Sequence, residues 1–156
     1  MREEKSEIRN QKSAIATAPG KIILFGEHAV VYGRPAIAVP VFQVRAEATV
    51  ESRADGRVVI DAVDLQRRYA LRDARENDPL ATIIRLTCAR LGVEPNNLNV
   101  RIHSTIPIGG GLGSGAAVSV SIARALGRYF AADAERTGNT EKSIVSPVFS
   151  VIPMAG

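Results

Sequence analysis

The segment Pro107-Ile108-Gly109-Gly110-Gly111-Leu112-Gly113-Ser114-Gly115-Ala116-Ala117 constrains this chain more than any other. Five of the seven positions from 109 to 115 are glycine. Each glycine costs conformational entropy on folding, and a plain chain reversal needs only one or two. Upstream, Leu98, Val100 and Ile102 alternate with Asn99, Arg101 and His103, the pattern of a half-buried strand over 97–104. Downstream, Val118, Ile122, Ala125, Leu126 and Tyr129 form the apolar stripe of a helix over 115–130. A strand, a glycine loop and a helix in that order expose the loop N–H groups together with the unpaired N–H groups and positive dipole end of the helix. That combination is an anion cradle suited to phosphate. The Ser114 hydroxyl could bond a phosphate oxygen or a magnesium ion.

Other loops compete for the same residues. A flexible linker would not be flanked so tightly by ordered elements. A P-loop requires Gly-Lys-Ser/Thr at its end, and no lysine stands here. A dinucleotide fingerprint can be laid on Gly111-x-Gly113-x-x-Ala116, with Asp133 as ribose ligand, but Asp133 does not follow a visible strand.

The rest of the chain fills in one compact core. Apolar residues make up 46% and charged residues 23% of 156, a globular and not a disordered composition. The net charge of +4 comes from scattered arginines. Only Arg67 and Arg68 adjoin, beside Tyr69, which is a solvated surface and not the basic, aromatic stripe of a nucleic-acid binder. The single cysteine, Cys88, excludes an internal disulfide and a thiolate metal cluster, and its place on an apolar helix stripe predicts a buried structural thiol. No apolar run is long enough to span a membrane, and the first twelve residues carry no signal-peptide core, so a cytoplasmic location is expected.

Residues 1–13 are expected to be a disordered lead-in. From Ala14 to Phe25 two short extended pieces are predicted around Pro19-Gly20, and residues 36–50 predict a strand pair. Asp55-Gly56 is a hairpin-turn signal before an extended run from Arg57 to Val63. The clearest helix starts at an Asp78 N-cap with Pro79 in the first turn and stops at Gly92. Its face is Leu80, Ile83, Ile84, Thr87, Cys88 and Leu91.

A second segment, Ala18-Pro19-Gly20-Lys21-Ile22-Ile23-Leu24-Phe25-Gly26-Glu27-His28-Ala29-Val30-Val31-Tyr32-Gly33, sets a cation, an acid and an imidazole close together between glycines. Taken alone, Lys21 reads as a strand-end lysine whose head reaches water, and Glu27 and His28 as turn residues. Together with the glycine loop, this segment resembles the first two signature motifs of the GHMP kinases, and within them the mevalonate kinase branch. The resemblance runs in order and spacing over residues 14–130.

That resemblance implies an α+β fold, a mixed β-sheet backed by helices with an unusual left-handed βαβ crossover. It implies a GHMP kinase amino-terminal, ATP-binding domain over 14–133. Pro107, Ile108, Gly109, Gly110, Gly111, Leu112, Gly113, Ser114, Gly115, Ala116 and Ala117 would wrap the ATP phosphates, with Ser114 close to Mg²⁺. Lys21 would stabilise charge on the transferring phosphoryl group, and Glu27 and His28 would hold mevalonate, a small hydroxy acid. Two departures stand out. Position 115 is glycine where the family commonly has a second hydroxyl residue, and the later Gly-Thr-Pro-Ser-Gly-x-Asp segment with the catalytic aspartate is missing, as is the carboxy-terminal kinase domain. Residues 134–156 form an atypical tail that resembles nothing in the family. The chain is therefore expected to be a fragment with little activity alone, prone to self-association through apolar surface left uncovered.

Overall fold

The computed structural model describes residues 12–137, with side-chain surroundings described through residue 132. The expected tail over 134–156 lies largely outside these bounds, as do most of the lead-in and the Asp133 side chain. Within them a five-stranded mixed sheet is backed by two helices, the α+β architecture expected. The strands are β1 (Ser13–Phe25), β2 (Ile37–Ser52), β3 (Val58–Ala62), β4 (Arg67–Ala70) and β5 (Leu98–Ser104). The helices are α1 (Pro79–Leu91) and α2 (Ser114–Thr137). Spatial order is β1-β2-β5-β3-β4, with β5 antiparallel to β2 and parallel to β3.

Several sequence expectations need correction. The stretch 14–25 is one strand starting at Ser13, not two pieces around a turn. Proline lacks the N–H a ladder needs, and here the chain answers with a bulge. Pairing jumps from Pro19↔Arg45 to Gly20↔Val41. Residues 37–52 are likewise one strand, not a pair. Among the described residues its first half pairs only with β1, and its second half, Ala46–Ser52, also with β5. Pro40 falls in the half with a free edge, where a missing donor is tolerated.

Asp55-Gly56 does turn the chain, but β3 does not fold back on β2, because β5 lies between them. The segment entering β5 is stitched to that turn. Arg53 donates its backbone N–H to Asn97 O at 2.8 Å, and Gly56 donates to Asn97 Oδ1 at 2.6 Å. Strand β4 is missing from the sequence reading, since its four residues carry two arginines and show little alternation.

Helix α1 forms as its signals indicate. Asp78 Oδ1 accepts from Leu80 and Ala81 N–H at 3.0 Å each, and Gly92, at φ +66°, ends the helix. Helix α2 runs to Thr137, past the predicted end at 130. Both helices cover one face of the sheet. Ile60, Ile84, Leu98, Val100, Ile122 and Leu126 are fully buried there, each worth about 1.5–3 kcal/mol of apolar burial. Cys88 is fully buried in the same cluster, and burial, with Glu94 nearby, pushes its thiol up to about 11, as befits a structural thiol. The opposite face carries cross-strand polar pairs such as Arg101–Asp61. No described helix is long and apolar enough to cross a membrane.

Candidate phosphate-binding site

The loop between β5 and α2 is fixed at both ends. At its start, Thr105 donates its N–H to Arg45 O at 2.9 Å and receives the Arg45 N–H on Oγ1 at 3.0 Å. Ile106 then enters a small second core with Ala18, Ala46 and Ala117, against which Val44 and Leu112 pack. Pro107 and Ile108 are exposed, and the chain turns through Gly109, Gly111 and Gly113 at φ +77°, +69° and +67°. These left-handed angles are the reason for the glycines.

Helix α2 opens at Ser114, and its first bond to the loop is Ala117 N–H to Gly113 O at 3.0 Å. Among the described residues, the backbone N–H groups of Gly111 through Ala116 meet no protein acceptor. Unpaired donors at a helix mouth are the physical requirement for an anion cradle.

Lys21 comes to this loop from β1. Its backbone N–H donates to Leu112 O at 2.9 Å. Its stem lies across Gly113, where a Cβ on the glycine would stand 3.0 Å from Lys21 Cγ and 3.1 Å from Cε. The ammonium therefore sits beside the amino end of α2. It is half-buried and, among the described residues, pairs with no carboxylate. Such a cation beside free N–H groups favours a multiply charged anion.

Glu27 and His28 stand apart from this arrangement. They are exposed in the turn beyond β1, which Val30 N–H closes on Gly26 O at 2.9 Å. Gly26, at φ +83°, presses so closely on the chain at Pro35 and Ala36 that an added Cβ would lie 2.5 Å from Pro35 O. Neither Glu27 nor His28 bonds to the loop among the described residues.

Beside the loop opens a cleft of about 280 Å³ that sequence reasoning missed. Ser114 lines it together with Leu65, Leu80, Ile106, Ile108 and Val118. Its wall is a 3₁₀ turn, Val63–Leu65, pinned to the end of β5. Asp64 does the pinning, accepting from Ser104 N–H at 2.6 Å and facing His103 Nδ1 at 2.7 Å. The cleft lining comes from four separated segments, 62–67, 78–80, 102–108 and 114–119, so residues such as Asp78, Leu80, Ile108 and Ser114 were legible singly but not as one cleft. An apolar slot adjoining an anion cradle suits a ligand with a flat base and a polyphosphate.

As to a metal, the described residues hold no group of three or more His, Cys, Asp or Glu able to bind one. Ser114 is a single neutral donor, so these residues do not build a magnesium site by themselves.

Residues 79–143 match the GHMP kinases N terminal domain. The chain is 40% identical over 129 residues to the mevalonate kinase of Archaeoglobus fulgidus, covering 78% of this chain and 40% of that one. It is 37% identical over 118 residues to the mevalonate kinase of Methanothermobacter thermautotrophicus, covering 76% and 37%. The crystal structure of the Methanococcus jannaschii mevalonate kinase superposes with a TM-score of 0.66 at 28% identity, over 74% of this chain and 40% of that one. The chain thus spans 37–40% of the length of these relatives. With the paired motifs, the mixed sheet and these matches in agreement, the chain is similar to the GHMP kinases over about three quarters of its length, and its described residues share the fold of the mevalonate kinase structure in that overlap.

Proposed function

We propose that this chain carries the ATP-binding cradle of a mevalonate kinase-type enzyme, one that transfers the γ-phosphoryl group to the terminal hydroxyl of mevalonate. One observation carries the proposal: the Lys21 stem lies on Gly113, so its ammonium adjoins the unpaired N–H groups that open α2. Phosphoryl transfer depends on positioning and charge neutralisation more than on covalent chemistry. In this reading the N–H groups of Gly111–Ala116 hold the phosphates, and Lys21 neutralises charge on the migrating group. The base enters the apolar cleft beside Leu65 and Ile108, and Glu27 and His28 face the hydroxy acid.

Mg²⁺ would arrive with the nucleotide, held mainly by phosphate and water, with the Ser114 hydroxyl within reach. A cytoplasmic location belongs to the same reading. A second reading rests on the same cradle: a nucleotide-binding module that does not itself transfer phosphate.

Calorimetric titration with ATP tests the cradle directly. Binding is expected, and Lys21→Met should weaken it by roughly tenfold to a hundredfold, the worth of one charge-assisted contact. Unchanged affinity in Lys21→Met would remove the lysine from the site. Incubation with ATP, Mg²⁺ and mevalonate separates the two readings, with phosphomevalonate formed under the first and none under the second.

A further inference from the structure

We infer that Gly113 is a positioning residue for Lys21: the bare α-carbon is the seat on which the lysine stem rests, and it holds the ammonium at the mouth of α2. The inference rests on the phosphate reading above and deepens it. Three successive stem carbons are involved, since an added Cβ would lie 3.0, 3.5 and 3.1 Å from Lys21 Cγ, Cδ and Cε. A contact along the whole stem cannot be relieved by swinging only the flexible tip. The seat is also tied down. Leu112 O, one residue before, accepts the Lys21 N–H, and Gly113 O, on the other side, accepts the first helix-opening N–H, that of Ala117. Cation and amide donors are therefore parts of one braced unit, set before any ligand arrives.

The loop supplies its own controls. Gly109 and Gly111 have the same left-handed backbone as Gly113, yet a Cβ at either meets nothing within 4 Å. Alanine at 111 therefore adds backbone strain alone, whereas alanine at 113 adds similar strain and also displaces Lys21. The two effects can be separated.

The experiment uses the full chain in six forms: unchanged, Gly111→Ala, Gly113→Ala, Lys21→Ala, and each glycine variant combined with Lys21→Ala. Affinity for ATP and for adenosine is measured by calorimetry, and Tm by circular dichroism. Gly113→Ala is expected to weaken ATP about tenfold more than Gly111→Ala, while adenosine, which has no phosphate, loses equally in both. In the Lys21→Ala background the two glycine variants should become equivalent. Tm should follow the same pattern, with the extra loss in Gly113→Ala abolished by Lys21→Ala.

Equal ATP losses in the two glycine variants, or an extra loss that survives Lys21→Ala, would overturn the inference. So would equal weakening of ATP and adenosine by Gly113→Ala, which marks a merely structural defect. If no form binds ATP but the Tm coupling between 113 and 21 persists, the phosphate reading falls and the seating of Lys21 stands. If the Tm coupling is absent, the seating itself is wrong. Should Gly113→Ala fail to fold, Gly113→Asn against Gly111→Asn repeats the comparison with less strain, because asparagine tolerates left-handed angles.

Discussion

Replacing Asp78 with alanine should destabilise the domain by an amount that can be built bond by bond. Oδ1 accepts two helix N–H groups, those of Leu80 and Ala81, at 3.0 Å each. Oδ2 accepts from the Tyr69 hydroxyl at 2.8 Å and from Arg67 at 3.5 Å. Loss of an N-cap costs about 1 kcal/mol. Leaving the half-buried Tyr69 hydroxyl without its acceptor costs about 1–2 kcal/mol more. Arg67 is half-exposed, so its ion pair adds little. The sum is about 2–3 kcal/mol, which for a chain of this size lowers Tm by roughly 10 °C. Thermal unfolding followed by circular dichroism measures it, with a urea titration as a check. Tyr69→Phe should cost about 1 kcal/mol alone and almost nothing on top of Asp78→Ala, because the two share one bond. Since Asp78 also lines the cleft proposed to take the base, ATP affinity should fall in the same variant. If Asp78→Ala melts within about 2 °C of the parent, or if the Tyr69→Phe loss adds in full, this carboxylate is not the junction of α1 and β4.

Other expectations follow from single groups. Burial works to raise the Asp78 carboxyl, but bonds from Ala81, Tyr69 and Leu80 prevail and hold it below its usual value. Its stabilisation is therefore present above the unfolded pKa of about 4 and is lost as pH falls through the lower folded value, so Tm should drop in acid and Asp78→Ala should drop less. Burial, then the Asp78 bond and charge, push Tyr69 up to about 12. Its contribution is complete below the unfolded value near 10 and lost as pH rises toward 12, and an ultraviolet titration should lose a step near 12 in Tyr69→Phe. Gly26→Ala, with its Cβ 2.5 Å from Pro35 O, should lower stability by about 2–4 kcal/mol, whereas Gly33→Ala, also left-handed but with open space around it, should cost about 1 kcal/mol. Chemical denaturation of both variants checks the pair. The β1–β2 arm exposes Phe25, Val31, Tyr32 and Phe42 at 70–82%, so the chain should elute above its monomer mass in size-exclusion chromatography, and Tyr32→Glu with Phe42→Glu should return it toward monomer.

Legibility followed whether a segment's shape is decided by its own residues. Asp78, Pro79 and Gly92 bracket α1 with local chemistry, and the β5 alternation is intact, so both were evident. The glycine loop was evident because a run of left-handed angles can hardly be made from other residues. Strand β2 was not, because Pro40 looks like a break and is harmless only where no neighbour stands on that edge. The hairpin expected at Asp55-Gly56 failed because a later strand occupies the place beside β2. At the site, Lys21 and the loop were each visible, but their contact comes from sheet order and not from either motif. The cleft wall at Asp64 and Leu65 was invisible, since an exposed 3₁₀ turn gains meaning only when β5 arrives to hold it.

The position of β5 between β2 and β3 also sets the order of events on a ribosome. The antiparallel pairs β1–β2 and β3–β4 can each close as soon as their residues emerge, yet among the described strands only Leu98–Ser104, made later, joins them. Until then the nascent chain carries two short ribbons, each with an open hydrogen-bonding edge, the condition in which chains recruit chaperones or pair with the wrong neighbour. A late central strand also gives pairings distant in sequence, such as Val50 with Val100, so collapse to the finished sheet should be slow by the standard of helical domains.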